Sequence, residues 1–153
     1  MNYFRISKYN PIYRENGIYQ KHEWTSFSDI GKICDHHMLS KSEYLTVEKQ
    51  YTDTIYEIAK FLSVETLTIN YLENYQHTTW EPFQKLTLLE AVYFMQDCLR
   101  DLCWGQLVSD SFVWEVGYDF YMHIGCNLTF EKLATVVNTH KLFIENWEVI
   151  TLH

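Results

Sequence analysis

The amino-acid sequence predicts an α+β fold, or a closely related two-layer α/β fold, with a mostly antiparallel sheet of about four to five strands packed with two long helices and a short third helix. Apolar residues recur at three- and four-residue spacing in some segments and alternate with polar residues in others. The 153 residues, 47% of them hydrophobic, are enough for one core. Only two prolines and five glycines interrupt the chain, so we expect a single domain over residues 1–153.

The first half of the chain predicts one strand and one long helix. The segment "NYFRISKY" alternates as a strand does, and "EWTSFSDIGK" is typical of a loop with one helical turn that ends at Gly31. Ser40 and Glu43 then form the sequence pattern of a capping box at the start of a helix. The apolar stripe of that helix consists of Tyr44, Val47, Tyr51, Ile55, Ile58 and Leu62.

The second half predicts further strands and two more helices. The segment "TLTINYLENY" is a strand candidate, and a second capping box, at Thr87 and Glu90, begins a helix that ends before Gly105. A short helix capped by Thr129 and a last strand in "KLFIENWEVITL" complete the order. The pattern leaves the strand order open and allows parallel pairs.

The segment "FVWEVGYDFYMHI", residues 112–124, alternates without a break and predicts one long strand, bulged at Gly117. One face is apolar, and the other carries Glu115, Asp119, Tyr121 and His123. On one strand, Asp119 and His123 would be about 13 Å apart at roughly 3.3 Å per residue. An acid–base contact requires about 2.6–3.2 Å, so this motif predicts no catalytic dyad.

Negative charge is concentrated in the last three-fifths of the chain. Residues 1–60 carry eight acids and eight Lys or Arg, whereas residues 61–153 carry twelve acids and four Lys or Arg, which gives the whole net charge of −8. Such a field repels nucleic acid and attracts basic partners. The basic and aromatic stretch "YFRISKYNPIYR" is short, so we expect its arginines to pair with acids of the protein itself.

No pattern predicts a catalytic, cofactor or metal site. The cluster "CDHH", residues 34–37, lacks a second pair of ligands and is expected to be a solvated loop. Nucleophile-elbow and glycine-rich phosphate motifs are absent from the sequence, and the four cysteines are expected to be free thiols. The first residues do not resemble a signal peptide, and no apolar run is long enough to span a membrane, so we expect a soluble cytoplasmic protein.

Two stretches resemble a known class of protein. Residues 3–31, "YFRISKYNPIYRENGIYQKHEWTSFSDIG", and residues 117–125, "GYDFYMHIG", are similar to immunity proteins of bacterial polymorphic toxin systems, including contact-dependent growth inhibition. The resemblance implies a protein that is not an enzyme and that binds one cognate toxin domain, often a nuclease. Because a nuclease must hold phosphates, the toxin is expected to be basic and complementary to this acidic chain.

We expect the toxin to contact the polar strand face and acids near it, and we expect Trp24, Thr25, Ser28 and Asp29 to fix the N-terminal loop. Two alternatives stay open: a small enzyme whose cleft joins His123 or His36 to a carboxylate, and a general interaction subunit. The oligomeric state, monomer or homodimer, is also open. The predicted contact residues are Asp110, Glu115, Asp119, Tyr121, His123 and Glu145.

Overall fold

A computed structural model describes all residues, 1–153, as an antiparallel sheet covered on one face by three helices. Seven strands form the main sheet in the order β11-β1-β10-β9-β8-β6-β7, and two short hairpins pair β2 with β3 and β4 with β5. The strands are β1 (Asn2–Ser7), β2 (Arg14–Glu15), β3 (Ile18–Tyr19), β4 (Ile33–Cys34), β5 (His37–Met38), β6 (Thr66–Asn74), β7 (Lys85–Thr87), β8 (Cys103–Val108), β9 (Phe112–Val116), β10 (Met122–Cys126) and β11 (Phe143–Asn146).

The helices are α1 (Lys41–Phe61), α2 (Leu88–Leu99) and α3 (Phe130–Thr139). Each begins after a hydroxyl residue that accepts a backbone N–H, as predicted: Ser40, Thr87 and Thr129. The reciprocal capping box forms only at α2, because the carboxylate of Glu43 hydrogen-bonds His37 instead. None of the three helices combines the length and apolar character needed to cross a membrane.

The core lies between the helices and the inner face of the sheet, where 30 buried residues form one cluster. Phe112, Trp114 and Ile124 point inward from β9 and β10 and are fully buried. Phe94 of α2 approaches the sheet at Gly105, where an added Cβ would lie 2.6 Å from its ring. A residue with a side chain at position 105 would therefore push α2 away from the sheet.

One carboxylate is buried between α1 and α2. Glu48, 2% exposed, accepts hydrogen bonds from Arg100 Nε at 2.8 Å and Nη2 at 2.7 Å, and from the Tyr44 hydroxyl at 2.7 Å. This bidentate pair satisfies the charge of Glu48 and connects the two helices.

The α+β class and the antiparallel sheet are confirmed, but the number of strands is not. The main sheet has seven strands rather than four to five. Only α1, with 21 residues, is a long helix, because α2 has 12 residues and α3 has 10. The last strand covers only four residues, since the chain after Asn146 leaves the β-ladder.

The prediction of one long strand over residues 112–124 is wrong. The chain reverses at residues 117–121, and β9 pairs with β10 as a hairpin in which Met122 faces Val116. Paired residues of an antiparallel ladder share a face, and these two are six positions apart, so the alternating pattern is the same for a hairpin and for a single strand. Tyr118, which strict alternation over residues 112–124 would place on the apolar face, is 93% exposed.

Aromatic packing holds this turn in its shape. Asp119 and Phe120 have left-handed backbone conformations, with φ of 55° and 64°. Phe120 is buried against the rings of Trp24, Tyr44 and Tyr51. A left-handed phenylalanine is uncommon and costs free energy, which burial of its ring offsets.

Candidate functional site

The outer face of the sheet carries a row of polar residues that crosses six neighbouring strands. Each member is the register partner of the next one, so their side chains lie side by side. We call this row the polar ladder; from β6 to β11 it contains Tyr71, Gln106, Glu115, His123, Arg5 and Glu145.

At the β11 end of the polar ladder, two arginines enclose one carboxylate. Arg5 Nε donates to Glu145 at 2.8 Å, and Arg14 Nε, from β2, donates to the other oxygen at 2.6 Å. Arg14 also donates to the Tyr121 hydroxyl at 2.7 Å. The Glu145 side chain is 18% exposed, and both of its oxygens have cationic donors, so its charge is compensated within the fold.

His123 occupies the middle of the polar ladder as a neutral imidazole. Its ring stacks on Trp147 with centroids 4.8 Å apart, and it lies so close to Gly117 that an added Cβ would be 2.6 Å from the ring. Burial, with a smaller contribution from Arg5, lowers the pKa of His123 to about 4. Its Nδ1 lies 3.9 Å from Glu115 Oε1, beyond hydrogen-bond distance, and at neutral pH the two groups form no ion pair.

At the β6 side of the polar ladder, Glu115 has no Lys or Arg partner. Its side chain is 17% exposed and accepts one hydrogen bond, from Gln106 Nε2 at 2.9 Å. Burial raises the pKa of Glu115, while the Gln106 hydrogen bond and the charge of His153 oppose that rise. Glu115 therefore resembles Glu145 in burial but differs from it in having no cationic donor.

An open groove of about 660 Å³ adjoins Glu115 at the end of the sheet where β6 and β9 end and β8 and β10 begin. Its lining includes the carboxylates of Glu73, Asp101, Glu115 and Asp119 but no Lys or Arg. The aromatic residues of the lining are Tyr71, Tyr75, Trp104, Tyr118 and Phe120.

Glu73 is oriented within this groove by two tyrosine hydroxyls. Tyr71 donates to one of its oxygens at 3.0 Å and Tyr75 to the other at 2.6 Å. These two hydrogen bonds lower the pKa of Glu73, and the one from Tyr75 has the larger effect. The carboxylate is therefore ionised at neutral pH. The groove therefore presents a fixed negative charge beside aromatic rings, an arrangement that suits a cation.

The β9–β10 turn forms the rim of the groove. Tyr118, at the tip, is 93% exposed, while its neighbour Phe120 is 3% exposed. The Tyr9 hydroxyl donates to the carbonyl oxygen of Asp119 at 2.7 Å, which ties the turn to the N-terminal segment. Tyr118 is therefore a large exposed side chain on a backbone that is already ordered.

The predicted contact residues do not form one patch. Glu115 and His123 lie side by side in the polar ladder, with Tyr121 close to them on β10's N-terminal side. Asp119 is exposed and lines the groove. Asp110 lies in the β8–β9 turn at the opposite end of the sheet, and Glu145 is enclosed by arginines.

Sequence reasoning missed most of the groove. Glu73, Tyr71 and Trp104 come from β6 and β8, far along the chain from Asp119, and only the pairing of β6 with β8 brings them together. Tyr118 was also missed, although the Gly-Tyr-Asp sequence before Phe120 has the composition of a turn and offered a signal.

Two other sequence features have clear places in the structure. Arg5 and Arg14 pair with an acid of the chain, as expected. The "CDHH" cluster is not a loop but the hairpin β4–β5, whose turn residues Asp35 and His36 both have positive φ, and its His37 contacts Glu43. In the N-terminal loop, the Asp29 carboxylate accepts the Thr25 N–H at 2.9 Å, as predicted for a residue that fixes this loop.

Comparisons of the chain with protein-family models, with curated proteins and with solved structures each found no match.

Proposed function

We propose that this protein is an immunity protein that neutralises a cognate basic toxin domain by stoichiometric binding. Sequence resemblance over residues 3–31 and 117–125 supports this class of function. Both stretches meet in the fold, because Tyr9 and Trp24 hold the β9–β10 turn through Asp119 and Phe120.

The observation that carries the proposal is the acidic groove beneath Tyr118. Four of its carboxylates have no Lys or Arg partner, although the protein has twelve such residues. A basic protein surface would supply the missing positive charge. The net charge of −8 would also speed the encounter with such a partner at low ionic strength.

Tyr118 would supply binding energy at the centre of this interface. Exposed aromatic side chains are enriched among the residues that dominate protein–protein affinity. Because the turn is already held by Phe120 and Tyr9, little conformational entropy remains to be lost there on binding.

Co-purification tests the proposal directly. The protein and the toxin domain encoded beside it are co-expressed, and the complex is analysed by size-exclusion chromatography with light scattering. We expect a stable 1:1 complex, and the mass of the free protein will distinguish a monomer of 18.5 kDa from a homodimer. Separate elution of the two proteins would refute the immunity function.

Charge variants test where the toxin binds. The double variant Asp119→Asn/Glu73→Gln removes two groove charges, and Asn keeps the left-handed backbone accessible at position 119. The matched control Asp110→Asn/Glu131→Gln removes two exposed charges elsewhere. We expect the groove variant to lower the association rate about tenfold and to weaken its salt dependence. Equal effects of both variants would exclude the groove as the contact surface.

A small enzyme is the second candidate, because one groove holds His123 beside Glu115. Titration of toxin activity separates the two functions. A binder requires one equivalent for full neutralisation, whereas an enzyme neutralises at far lower ratios as it turns over. His123→Phe would abolish neutralisation by an enzyme and leave a 1:1 titration by a binder unchanged.

A further inference from the structure

We propose that the groove receives an arginine side chain of the partner protein, whose guanidinium group replaces the His153 ring against Tyr71 and Trp104 and faces Glu73 and Glu115. This inference rests on the proposed function, since it names the chemistry of the partner at the same groove.

The protein binds its own cations by combining aromatic rings with one carboxylate. The guanidinium of Arg5 lies 4.5 Å from the Tyr121 ring and 4.3 Å from the Trp147 ring while it pairs with Glu145. Such sites combine the attraction of a ring face with that of an ionised acid.

Two more cations are held in the same way. The Lys8 ammonium lies 4.2 Å from each of the Tyr9 and Trp24 rings and 3.4 Å from Glu23. Arg100 contacts Phe27 at 5.4 Å while it pairs with Glu48.

The groove contains the same components without a Lys or Arg of the chain, and the side chain that lies against its aromatic rings is His153. The Tyr71 and Trp104 rings meet edge to face, with centroids 5.6 Å apart. The hydroxyls of Tyr71 and Tyr75 orient Glu73. Glu115 lies on β9, which pairs with the strand β8 that carries Trp104. All three arginines of the chain are engaged at Glu145 or Glu48, so none is available here.

A flat nitrogen-containing ring already lies against these residues. The imidazole of His153 is 4.9 Å from the Tyr71 ring, tilted by 35°, and 5.6 Å from the Trp104 ring. Its carbonyl oxygen accepts from Asn70 at 2.7 Å, which holds the segment at the edge of the groove. The groove therefore accommodates a planar group of this size, and the arginine would take the place of the His153 ring.

Arginine fits this arrangement better than lysine. A guanidinium is planar, stacks on aromatic faces and directs five N–H donors in its plane, so one group can serve two separate carboxylates. A lysine ammonium is more strongly hydrated and acts as a point charge, so it gains less than a guanidinium from contact with flat aromatic rings.

Peptide titration followed by NMR tests the inference. The probes are acetyl-Gly-Arg-Gly-amide and its citrulline analogue, which keeps the planar shape and loses the charge. We expect the arginine peptide to shift the Trp104 indole N–H, which donates to the Val116 carbonyl, and the backbone amides of residues 71–75 and 115–119. The citrulline peptide is expected to bind at least tenfold more weakly. Equal binding of both peptides, or shifts confined to other surfaces, would overturn the proposal.

Variants show which acids recognise the peptide. Glu73→Gln/Glu115→Gln is expected to weaken arginine-peptide binding at least tenfold, and the control Glu65→Gln/Glu131→Gln, at exposed positions, is expected to leave it unchanged. Equal affinities of the two double variants would also overturn the proposal.

The two proposals fail in different ways. Formation of the toxin complex without any arginine-specific shift would refute the arginine site and leave the immunity function intact. Arginine-specific binding in the groove without a toxin complex would refute the immunity function and leave the arginine site intact.

Discussion

Two carboxylates of the polar ladder, Glu145 at its β11 end and Glu115 on the β6 side of His123, are buried to similar extents but have different partners. Glu145, 18% exposed, is enclosed by Arg5 and Arg14, whereas Glu115, 17% exposed, has one amide donor and no Lys or Arg partner. Burial is thus nearly the same, and the difference lies in the supply of positive charge. Glu145 is thus compensated by arginines of the chain, whereas Glu115 is not.

Arg100→Met tests how much a compensating cation contributes where burial is greatest. The substitution leaves Glu48, 2% exposed, without its ion-pair partner, and we expect a loss of about 3–5 kcal/mol in the free energy of unfolding. Urea denaturation at pH 7 measures it. Lys49→Met, which breaks the exposed pair with Asp53, is the control and is expected to change stability by less than about 0.5 kcal/mol. Similar losses in both variants would show that burial of the carboxylate does not determine how much an ion pair contributes to stability.

The pH dependence of stability tests His123, the neutral residue that lies between the two carboxylates in the polar ladder. The unfolded chain protonates a histidine near pH 6.5, whereas folded His123 has a pKa of about 4. Stability from this group is therefore lost as pH falls from 6.5 to 4, by up to about 3 kcal/mol. Denaturation of His123→Phe, which keeps the ring beside Trp147, should show a shallower loss over that interval. Parallel curves for both proteins would contradict a buried neutral imidazole.

Glu145→Gln removes the carboxylate charge that Arg5 and Arg14 compensate. The amide cannot accept the charge-assisted hydrogen bonds of both arginines, so we expect a loss of about 2 kcal/mol. The measurement is the free energy of unfolding in urea at pH 7. A variant as stable as the wild type would mean that the arginines find other partners.

Gly117→Ala should disturb the packing of His123, which lies between the two carboxylates. The added methyl group would meet the His123 ring at 2.6 Å and displace it from Trp147, at an expected cost of about 1–2 kcal/mol. The tryptophan fluorescence spectrum and the free energy of unfolding report the change. The control is Ala134→Gly on α3, which changes backbone flexibility away from His123. It is expected to lower the free energy of unfolding by about 1 kcal/mol and to leave the fluorescence spectrum unchanged. An unchanged fluorescence spectrum would contradict displacement of the ring.

Glu115→Gln should have the smallest effect of the five and the opposite sign to Glu145→Gln. Because burial raises the pKa of Glu115, its ionised form opposes folding as pH rises above the range in which the unfolded carboxyl ionises. The amide removes that term, so we expect stability at pH 7 to rise by less than about 1 kcal/mol. A clear loss in urea denaturation would show that Glu115 has a compensating partner within the fold.

The predictability of the fold depended on the distance over which each feature is decided. The caps at Ser40, Thr87 and Thr129 depend on residues within one turn, and all three helix starts were predicted correctly. The hairpin at Gly117 was not, because both candidate structures give the same alternation of faces. What selects the hairpin is the burial of Phe120 among Trp24, Tyr44 and Tyr51, which are distant in the chain.

The same division applies to the candidate site. Glu115 and His123 were placed on the polar face by alternation alone, and they do share it. The groove was not predictable, because Glu73, Trp104 and Asp119 come from three separate elements that meet only through strand order.

The sequence alone determined the class of fold, the starts of the helices, the buried and exposed faces of the strands and the excess of acidic residues. These follow from local capping, side-chain periodicity and charge, which need no knowledge of distant contacts. Tertiary structure decided the reversal at residues 117–121, the register that aligns the polar ladder, and the assignment of all three arginines to Glu145 and Glu48. The physical reason is that a carboxylate becomes compensated or uncompensated only when folding brings a cation within reach of it.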